Sequence, residues 1–389
     1  MNLPDSKLKL APTGAIISNA ELDRTMSLLD SKLKLALTGA VFGVFAVILA
    51  LSGNPGNMAI CVACFIRDIA GAMKLHTAAP VQYFRPEIVG FIMGSFLISM
   101  ATKEFRATGG SAPMIRFILG FAMMVGALVF LGCPLRMLLR MSAGDLNAYV
   151  ALIGFAAGVG TGTFFLKRGY SLGRSTAIAK TDGYVLPAGL LVLFVLSLTT
   201  ALFAVSEKGP GSMHAPALAA LFTALLFGAL AQKNRVCFAG SIRDVILLKD
   251  FSLISILGGF FVVMLIFNIA HGSFKLSFTG QPVAHARHIW NILGMYLVGF
   301  AAVLAGGCPM RQLILAGQGS SDSAVTVLGM LVGAACAHNF GLAGATAAAA
   351  TETAPATAGG PSAAGQIAVI ALIAVTFVIA VTNQKKIEI

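Results

Sequence analysis

Ten apolar stretches recur along this chain of 389 residues. An α-helix needs about 17–25 mostly apolar residues to cross the hydrocarbon core of a bilayer, and each stretch meets that length. The stretches lie at residues 34–52, 86–102, 114–132, 146–166, 184–205, 216–232, 251–270, 290–306, 324–345 and 365–382. A soluble protein needs a polar surface, whereas 57% of these residues are hydrophobic and only 11% are charged. The sequence therefore predicts an all-α polytopic membrane protein with ten transmembrane helices.

The basic residues give the chain a formal net charge of +12 and indicate its orientation. In a soluble protein this excess would favour a nucleic-acid partner, but no clustered basic face with aromatic platforms is visible. Lysine and arginine instead collect in the loops on the side of the N-terminus, as they do in the cytoplasmic loops of membrane proteins. We predict a multi-pass protein of the inner (plasma) membrane, with both termini in the cytoplasm and no nucleic-acid partner.

Two motifs occur twice, in the same order, and indicate an internal repeat. Residues 61–68 (CVACFIRD) match residues 237–244 (CFAGSIRD), and residues 132–136 (GCPLR) match residues 307–311 (GCPMR). Each half contains five predicted spans, an odd number, so the second half enters the membrane upside down relative to the first. Inverted repeats of this kind place a substrate site near the bilayer midplane, between broken helices.

The repeat also defines the organisation of the chain. We predict a largely disordered cytoplasmic tail at residues 1–33, followed by a first membrane repeat at residues 34–206. A second, inverted membrane repeat follows at residues 216–389. Both repeats belong to a single integral membrane domain.

Four short apolar segments stand beside the full spans, and most of them are broken by glycine or proline. They lie at residues 57–73, 134–141, 237–249 and 309–316. We interpret them as re-entrant half-helices, two in each repeat, that meet at the midplane. The alternative for each segment is a short amphipathic helix on the membrane surface.

The Gly-Cys-Pro-x-Arg motifs favour an anion site. Proline suits the first turn of a helix, where no amide hydrogen bond is lost, so Cys133 and Cys308 are predicted at N-cap positions. Free backbone N–H groups and the positive end of the helix dipole converge there. Two such ends meeting from opposite sides, with Cys133 and Cys308 at their tips, would form a narrow anion-selective constriction. The alternative is that these cysteines pack where a small side chain is needed.

Charged residues in the apolar segments are further candidates, because such residues are costly in a bilayer and usually pair or line a water-filled path. They are Arg67, Asp68, Arg136, Arg243, Asp244 and Arg311, together with His338 in the ninth span. The alternative for the two Arg-Asp pairs is a structural ion pair that fixes each half-helix to its neighbour. For Arg136 and Arg311 it is an interfacial, snorkelling position, and for His338 a hydrogen-bonded role in helix packing.

Cys61 and Cys64 form a Cys-x-x-Cys sequence, which also occurs in redox and zinc sites. No second such motif completes a zinc site and no histidine follows for haem attachment, so we assign no metal and no cofactor. The repeat gives the symmetric role to Cys61 and Cys237, because Gly240 stands where the first half has Cys64.

Several blocks of the sequence resemble the YeeE/YedE membrane proteins, a family of sulfur-compound transporters. They read NPGNMAICVACFIRDIAGAMKLH, FLGCPLRMLLR, EKGPGSMHAP, AGGCPMRQLILAG and DSAVTVLGMLVGAACAHNFGL. They are most similar to the YedE-type branch, which is associated with selenium metabolism. The resemblance covers about residues 53–343 and implies two inverted halves with cysteines along a transport path.

The resemblance implies a role for four cysteines. Thiosulfate-importing relatives pass their anion between cysteines at the central constriction, and that role transfers by position to Cys61, Cys133 and Cys308, and by repeat symmetry to Cys237. The thiosulfate branch follows its constriction cysteines with small or polar residues, where this chain has Cys-Pro-x-Arg twice. This difference favours a selenium species such as selenite over thiosulfate itself.

We therefore expect an importer, not an enzyme, that passes a small selenium- or sulfur-containing anion along an hourglass-shaped path. The four cysteines would donate hydrogen bonds to the anion, and buried arginines would attract it. Two alternatives remain open. One is a membrane thiol enzyme that uses Cys61 and Cys64 as a redox pair, and the other is a membrane anchor whose basic inner loops dock a cytosolic sulfur- or selenium-carrier protein.

Overall fold

The structure is a computed structural model that describes residues 9–10, 16–17, 19–348 and 356–384, with side chains from residue 31 onward. Most of the described chain is α-helical. The α-helices are α1 (Asn19–Leu51), α2 (Val62–Ala72), α3 (Pro86–Ala101), α4 (Pro113–Phe130), α5 (Pro134–Ser142), α6 (Leu146–Lys167), α7 (Lys180–Thr199), α8 (Ala217–Lys233), α9 (Phe238–Leu248), α10 (Ser252–Ala270), α11 (His288–Ala305), α12 (Pro309–Gly317), α13 (Ser321–Asn339) and α14 (Ala363–Thr382).

The described β-structure consists of two small antiparallel pairs. Strand β1 (Lys9–Leu10) pairs with β2 (Ile16–Ile17), and β3 (Thr108–Gly109) pairs with β4 (Thr176–Ala177). Each strand has two residues, so the sheets add little to the fold.

Within the described residues, ten helices are long and apolar enough to cross a membrane. They are α1, α6, α7, α10, α13 and α14, together with α3, α4, α8 and α11 taken with an adjoining short helical segment, and each overlaps one of the stretches predicted from the sequence. Large apolar side chains are exposed along α7, α10 and α14, as on a lipid-facing surface. The protein is thus an all-α polytopic membrane protein, as predicted.

The four predicted half-helices are present as α2, α5, α9 and α12. Every residue of α2 is buried, and nearly every residue of α5 and α12 is buried as well. A helix lying on the membrane surface would expose one face, so that alternative is wrong for these three helices. Helix α9 differs, because only its first four residues are buried.

The helix contacts are symmetric with respect to the repeat, in which α1 corresponds to α8 and α3 to α10. Helix α1 packs along α10, and its counterpart α8 packs along α3. In the same way α4 packs along α13, and its counterpart α11 packs along α6. Helices α4 and α11, which correspond to each other, are also in contact. The two halves therefore interlock, and each supplies one helix to every one of these large contacts.

The direction of the paired helices agrees with ten alternating spans. Gly90 of α3 lies against Leu221 of α8, and Gly94 lies against Leu225, so the two helices run in parallel. Helices α6 and α11 show the same order of contacts. Parallel packing is required if α3 and α8 are the second and sixth spans, since both then cross the membrane in the same direction.

The beginning of the chain differs in part from the expected tail. Helix α1 begins at Asn19, although its apolar, membrane-spanning part begins only at Ser31. The described residues between 19 and 33 are therefore helical. Residues 1–8, 11–15 and 18 lie outside the described residues, so the disordered tail stays a prediction for them.

Adjacent glycines in α10 provide a test of this packing. A β-carbon at Gly259 would overlap the carbonyl oxygen of Ala36 in α1, whereas one at Gly258 would meet nothing within 4 Å. We expect Gly259→Ala to destabilise the fold by about 1–3 kcal/mol, because the helices must move apart. Gly258→Ala is the matched control and should be neutral or slightly stabilising. Thermal unfolding of both variants in detergent measures this, and equal effects would contradict the α1–α10 contact.

Candidate functional site

Each of the four short helices begins with a cysteine at its N-cap. Cys61, Cys133, Cys237 and Cys308 occupy the N-cap positions of α2, α5, α9 and α12, respectively, and the sulfurs of Cys61 and Cys237 accept an amide hydrogen bond there. Proline follows the cysteine in α5 and α12, where its fixed backbone suits the first helical position. The N-cap positions predicted for Cys133 and Cys308 are confirmed, and the other two cysteines share them.

Three thiols of the first repeat form one buried cluster. The Cys61 sulfur lies 3.8 Å from the Cys133 sulfur and 2.9 Å from the Cys64 sulfur. The backbone N–H of Cys64 donates to the Cys61 sulfur at 3.3 Å. The N-termini of α2 and α5 therefore meet at this cluster, with Cys64 in the first turn of α2. Cys64 also belongs to this cluster, although the repeat assigned the symmetric role to Cys61 and Cys237.

The cysteines of the second repeat form an equivalent pair. The side chains of Cys237 and Cys308 lie close enough to interact, and the N–H of Gly240 donates to the Cys237 sulfur at 3.2 Å. This pair differs from the first cluster because Cys237 borders a cavity of about 430 Å³. The cavity is lined by Arg235, Cys237, Arg243, Asp244, Asp250, Ser252, Leu253, Gly306, Arg311 and Leu315.

The cysteines therefore pair within each repeat. The contacts join Cys133 to Cys61 and Cys308 to Cys237, and the constriction between Cys133 and Cys308 stays a prediction. Leu135 of α5 and Met310 of α12 line the same small apolar cavity, so the first turns of these two helices lie near each other. The sequence missed this pairing because the motif shows which residue caps a helix, not which helix end lies opposite.

Arg136 is a fully buried cation beside the first cluster, so the snorkelling alternative is wrong for it. Its guanidinium donates to the backbone and side-chain oxygens of Asn57, at 3.1 and 3.0 Å, and to the carbonyl oxygens of Val283, at 3.1 Å, and Leu131. One of its nitrogens lies 3.7 Å from the Cys64 sulfur. No carboxylate of the described residues forms an ion pair with it.

Arg311, the counterpart of Arg136, is partly buried beside the second pair. Its guanidinium donates to the side-chain oxygen of Gln232 at 3.3 Å, and it lines the same cavity as Cys237. Within the described part of the chain it also has no carboxylate partner. Each cysteine pair thus has two helix N-termini and one arginine without a counter-charge, an arrangement that attracts anions.

The remaining charged candidates form ion pairs. Asp68 is buried between Arg67, at 2.7 Å, and Arg85, at 2.8 Å. In the second repeat Asp244 pairs with Arg243 at 2.8 Å, and both side chains are partly exposed. These contacts favour the structural interpretation that the sequence left open for the Arg-Asp pairs.

His338 lies away from the helix N-termini that carry the cysteines. Its ring is 4.7 Å from the ring of His76, beyond the C-terminal end of α2, whereas Cys61 lies at the opposite end of that helix. The Nε2 atom of His338 is buried and has no hydrogen-bond partner among the described residues. The alternative for His338 was a hydrogen bond that supports helix packing. The described residues offer its Nε2 atom no partner for such a bond.

Sequence reasoning missed four residues that contact the candidate site residues. They are Asn57, His76, Arg85 and Gln232. A signal existed for the two amides, because Asn57 and Gln232 each lie 79 residues before the arginine that they contact. No group of three or more His, Cys, Asp or Glu side chains among the described residues could hold a metal ion.

Comparison with known proteins supports the family resemblance. Residues 233–389 match the model of a family described as Sulphur transport, and this range includes Cys237 and Cys308. Over 100 residues, 25% of this chain, the sequence is 30% identical to the thiosulfate transporter TsuA of Spirochaeta thermophila. The match spans 29% of the length of that relative.

The two Arg-Asp pairs provide a matched test of the ion-pair interpretation. Asp68→Asn leaves two buried arginines without a counter-charge, so we expect a loss of about 3–5 kcal/mol in the free energy of unfolding. Asp244→Asn, the equivalent change at a partly exposed pair, should cost less than about 1 kcal/mol. Chemical unfolding in detergent compares the two variants. A similar loss in both would contradict the structural role of Asp68.

Proposed function

We propose that this protein is an importer of a small sulfur- or selenium-containing anion in the inner (plasma) membrane. One observation carries the proposal: each repeat brings two cysteine-capped helix N-termini together beside an arginine that no described carboxylate neutralises. The arrangement occurs twice, related by the repeat. A single example could serve packing alone, whereas the repeated pair suits a path with two binding positions.

The charge of the substrate follows from the helix ends. The first amides of a helix have no partner within the helix, and the helix dipole adds positive potential there. A thiol is a weak acceptor, so a cysteine cap leaves much of this potential available. With Arg136 or Arg311 added, each position favours a negatively charged ligand over a neutral or cationic one.

The chemistry of the substrate follows from the thiols. Sulfur is polarisable, and an S–H group is a weak donor, so the cysteines suit a soft sulfur or selenium atom better than a hard oxyanion alone. The Sulphur transport match and the thiosulfate transporter relative support a sulfur anion. The Cys-Pro-x-Arg motifs extend the proposal to a selenium species such as selenite.

The two positions define a path. Helix α9 lies between the sixth and seventh spans, which the predicted orientation assigns to the cytoplasm. The cavity of about 430 Å³ beside Cys237 is then the cytoplasmic mouth, and the buried Cys61–Cys133 cluster faces the outer side. The anion passes from Cys61 and Cys133 to Cys237 and Cys308, with hydrogen bonds exchanged and no covalent step.

Uptake of labelled anions tests the proposal. Cells that lack their own importers and express the protein should accumulate radiolabelled selenite, thiosulfate or both. Cys308→Ser should reduce this uptake by about tenfold or more (about 1.4 kcal/mol), because the small, hard serine oxygen cannot replace the polarisable sulfur beside the soft atom of the anion. Cys336→Ser is the matched control, because Cys336 is partly exposed and caps no helix. Uptake of neither anion by the wild type would overturn the proposal.

A membrane thiol enzyme is the second candidate, and the 2.9 Å separation of the Cys61 and Cys64 sulfurs favours it. Two thiols this close could form a disulfide on oxidation. In an enzyme of this kind Cys64→Ser abolishes activity, because the second thiol is obligatory.

The importer predicts a different result for Cys64. Its counterpart in the second repeat is Gly240, so transport at the equivalent position proceeds without a thiol there. We expect Cys64→Ser to retain uptake within about threefold of the wild type, since replacing one weak neutral hydrogen bond costs about 0.5–1.5 kcal/mol. Complete loss in Cys64→Ser, with Cys308→Ser still active, would favour the enzyme.

A further inference from the structure

Two arginines contact a side-chain amide in the same way. An Nη atom of Arg136 donates to the Asn57 side-chain oxygen at 3.0 Å, and an Nη atom of Arg311 donates to the Gln232 side-chain oxygen at 3.3 Å. The sequence separation is 79 residues in both. The two contacts are therefore alike in partner type and spacing, although Asn57 lies in a 3₁₀ turn and Gln232 lies in the last turn of α8.

Buried arginines elsewhere in the described chain have carboxylate partners. Arg67 and Arg85 share Asp68, and Arg140 pairs with Asp145 at 2.7 Å. A carboxylate is the usual partner of a buried guanidinium, because it balances the charge as well as accepting hydrogen bonds. The two arginines beside the cysteine pairs lack this partner, and both have an amide in its place.

An amide oxygen, unlike a carboxylate, carries no net charge. It still accepts a hydrogen bond and so fixes the direction of the guanidinium. The positive charge of Arg136 therefore remains unbalanced 3.7 Å from the Cys64 sulfur. Arg311 has no ion-pair partner among the described residues, and its cavity is lined by three arginines and two aspartates, which leaves one positive charge in excess. A bound anion would supply the missing negative charge at each position.

We propose that Asn57 and Gln232 determine the charge selectivity of the path. Each orients its arginine without neutralising it, so that a small anion becomes the counter-ion at the neighbouring cysteine pair. This inference rests on the proposed function and assigns to it two residues outside the repeated cysteine motifs. An acidic residue at either position would form an internal ion pair with the arginine and repel the anion.

Two near-isosteric variants test the inference, namely Asn57→Asp and Gln232→Glu. Each should reduce uptake of thiosulfate and selenite by about tenfold or more, because like charges at a shared site cost several kcal/mol. At the same time Gln232→Glu should keep or raise the thermal unfolding temperature in detergent, because Arg311 gains an ion-pair partner. Asn57→Asp also loses the hydrogen bond that the Asn57 amide donates to the Pro282 carbonyl at 2.6 Å, so the unfolding test uses Gln232→Glu. If the amides had only a structural role, the unfolding temperature would fall and uptake would be retained.

Asn234→Asp is the matched control. It adds the same charge two residues from Gln232, but the side chain of Asn234 donates to the carbonyl oxygen of Leu230 in its own helix. This variant should retain uptake, which separates a specific effect at Arg311 from a general effect of negative charge near the cavity.

The outcomes separate the inference from the proposed function. If the wild type and both acidic variants take up anion equally well, the inference is overturned and the importer stands. If the wild type takes up neither anion, the importer is overturned and the inference with it. If Gln232→Glu unfolds at a markedly lower temperature than the wild type, its carboxylate does not pair with Arg311, and the inference is again overturned.

Discussion

The structure depends on how a membrane protein accommodates broken helices. Each break leaves the first amides of a helix without partners, and the hydrocarbon region offers no water to satisfy them. Here four such ends are buried in protein, and each is capped by a cysteine. Sulfur is a weak acceptor, so the caps leave positive potential in place. The positive potential that remains at these helix ends is the basis of the proposed anion path.

The interlocked helix pairs make this burial possible. Helices α4 and α11 lead directly into the cysteine motifs, and each packs along a helix of the other repeat. The close α1–α10 and α3–α8 contacts depend on glycines such as Gly94 and Gly259, which let the backbones approach. The two cysteine sites are not identical, since the first is fully buried and the second borders a cavity. In the proposed path, the cavity beside the second site is an opening on the cytoplasmic side.

The sequence predicted the elements well, because its signals are local. Apolar length located the ten spans, and Gly, Pro and the repeat located the four half-helices. The partners were harder to predict, because contacts between distant segments leave no local pattern. The structural alternative for Asp68 named no partner beyond the adjacent Arg67, and Arg85 at the start of α3 is the second one. The contact of Cys133 with Cys61 was not predicted either.

The central claim is that a soft anion binds at the cysteine-capped helix ends. Selenosulfate, in which selenium replaces the terminal sulfur of thiosulfate, is a suitable probe because selenium scatters X-rays anomalously. We would measure the anomalous difference density of a crystal of the protein soaked with this anion. The account predicts a selenium peak beside Cys237 and Cys308, within the cavity that Arg311 lines. Occupied selenium peaks only at other places, such as beside His76 and His338, would contradict it.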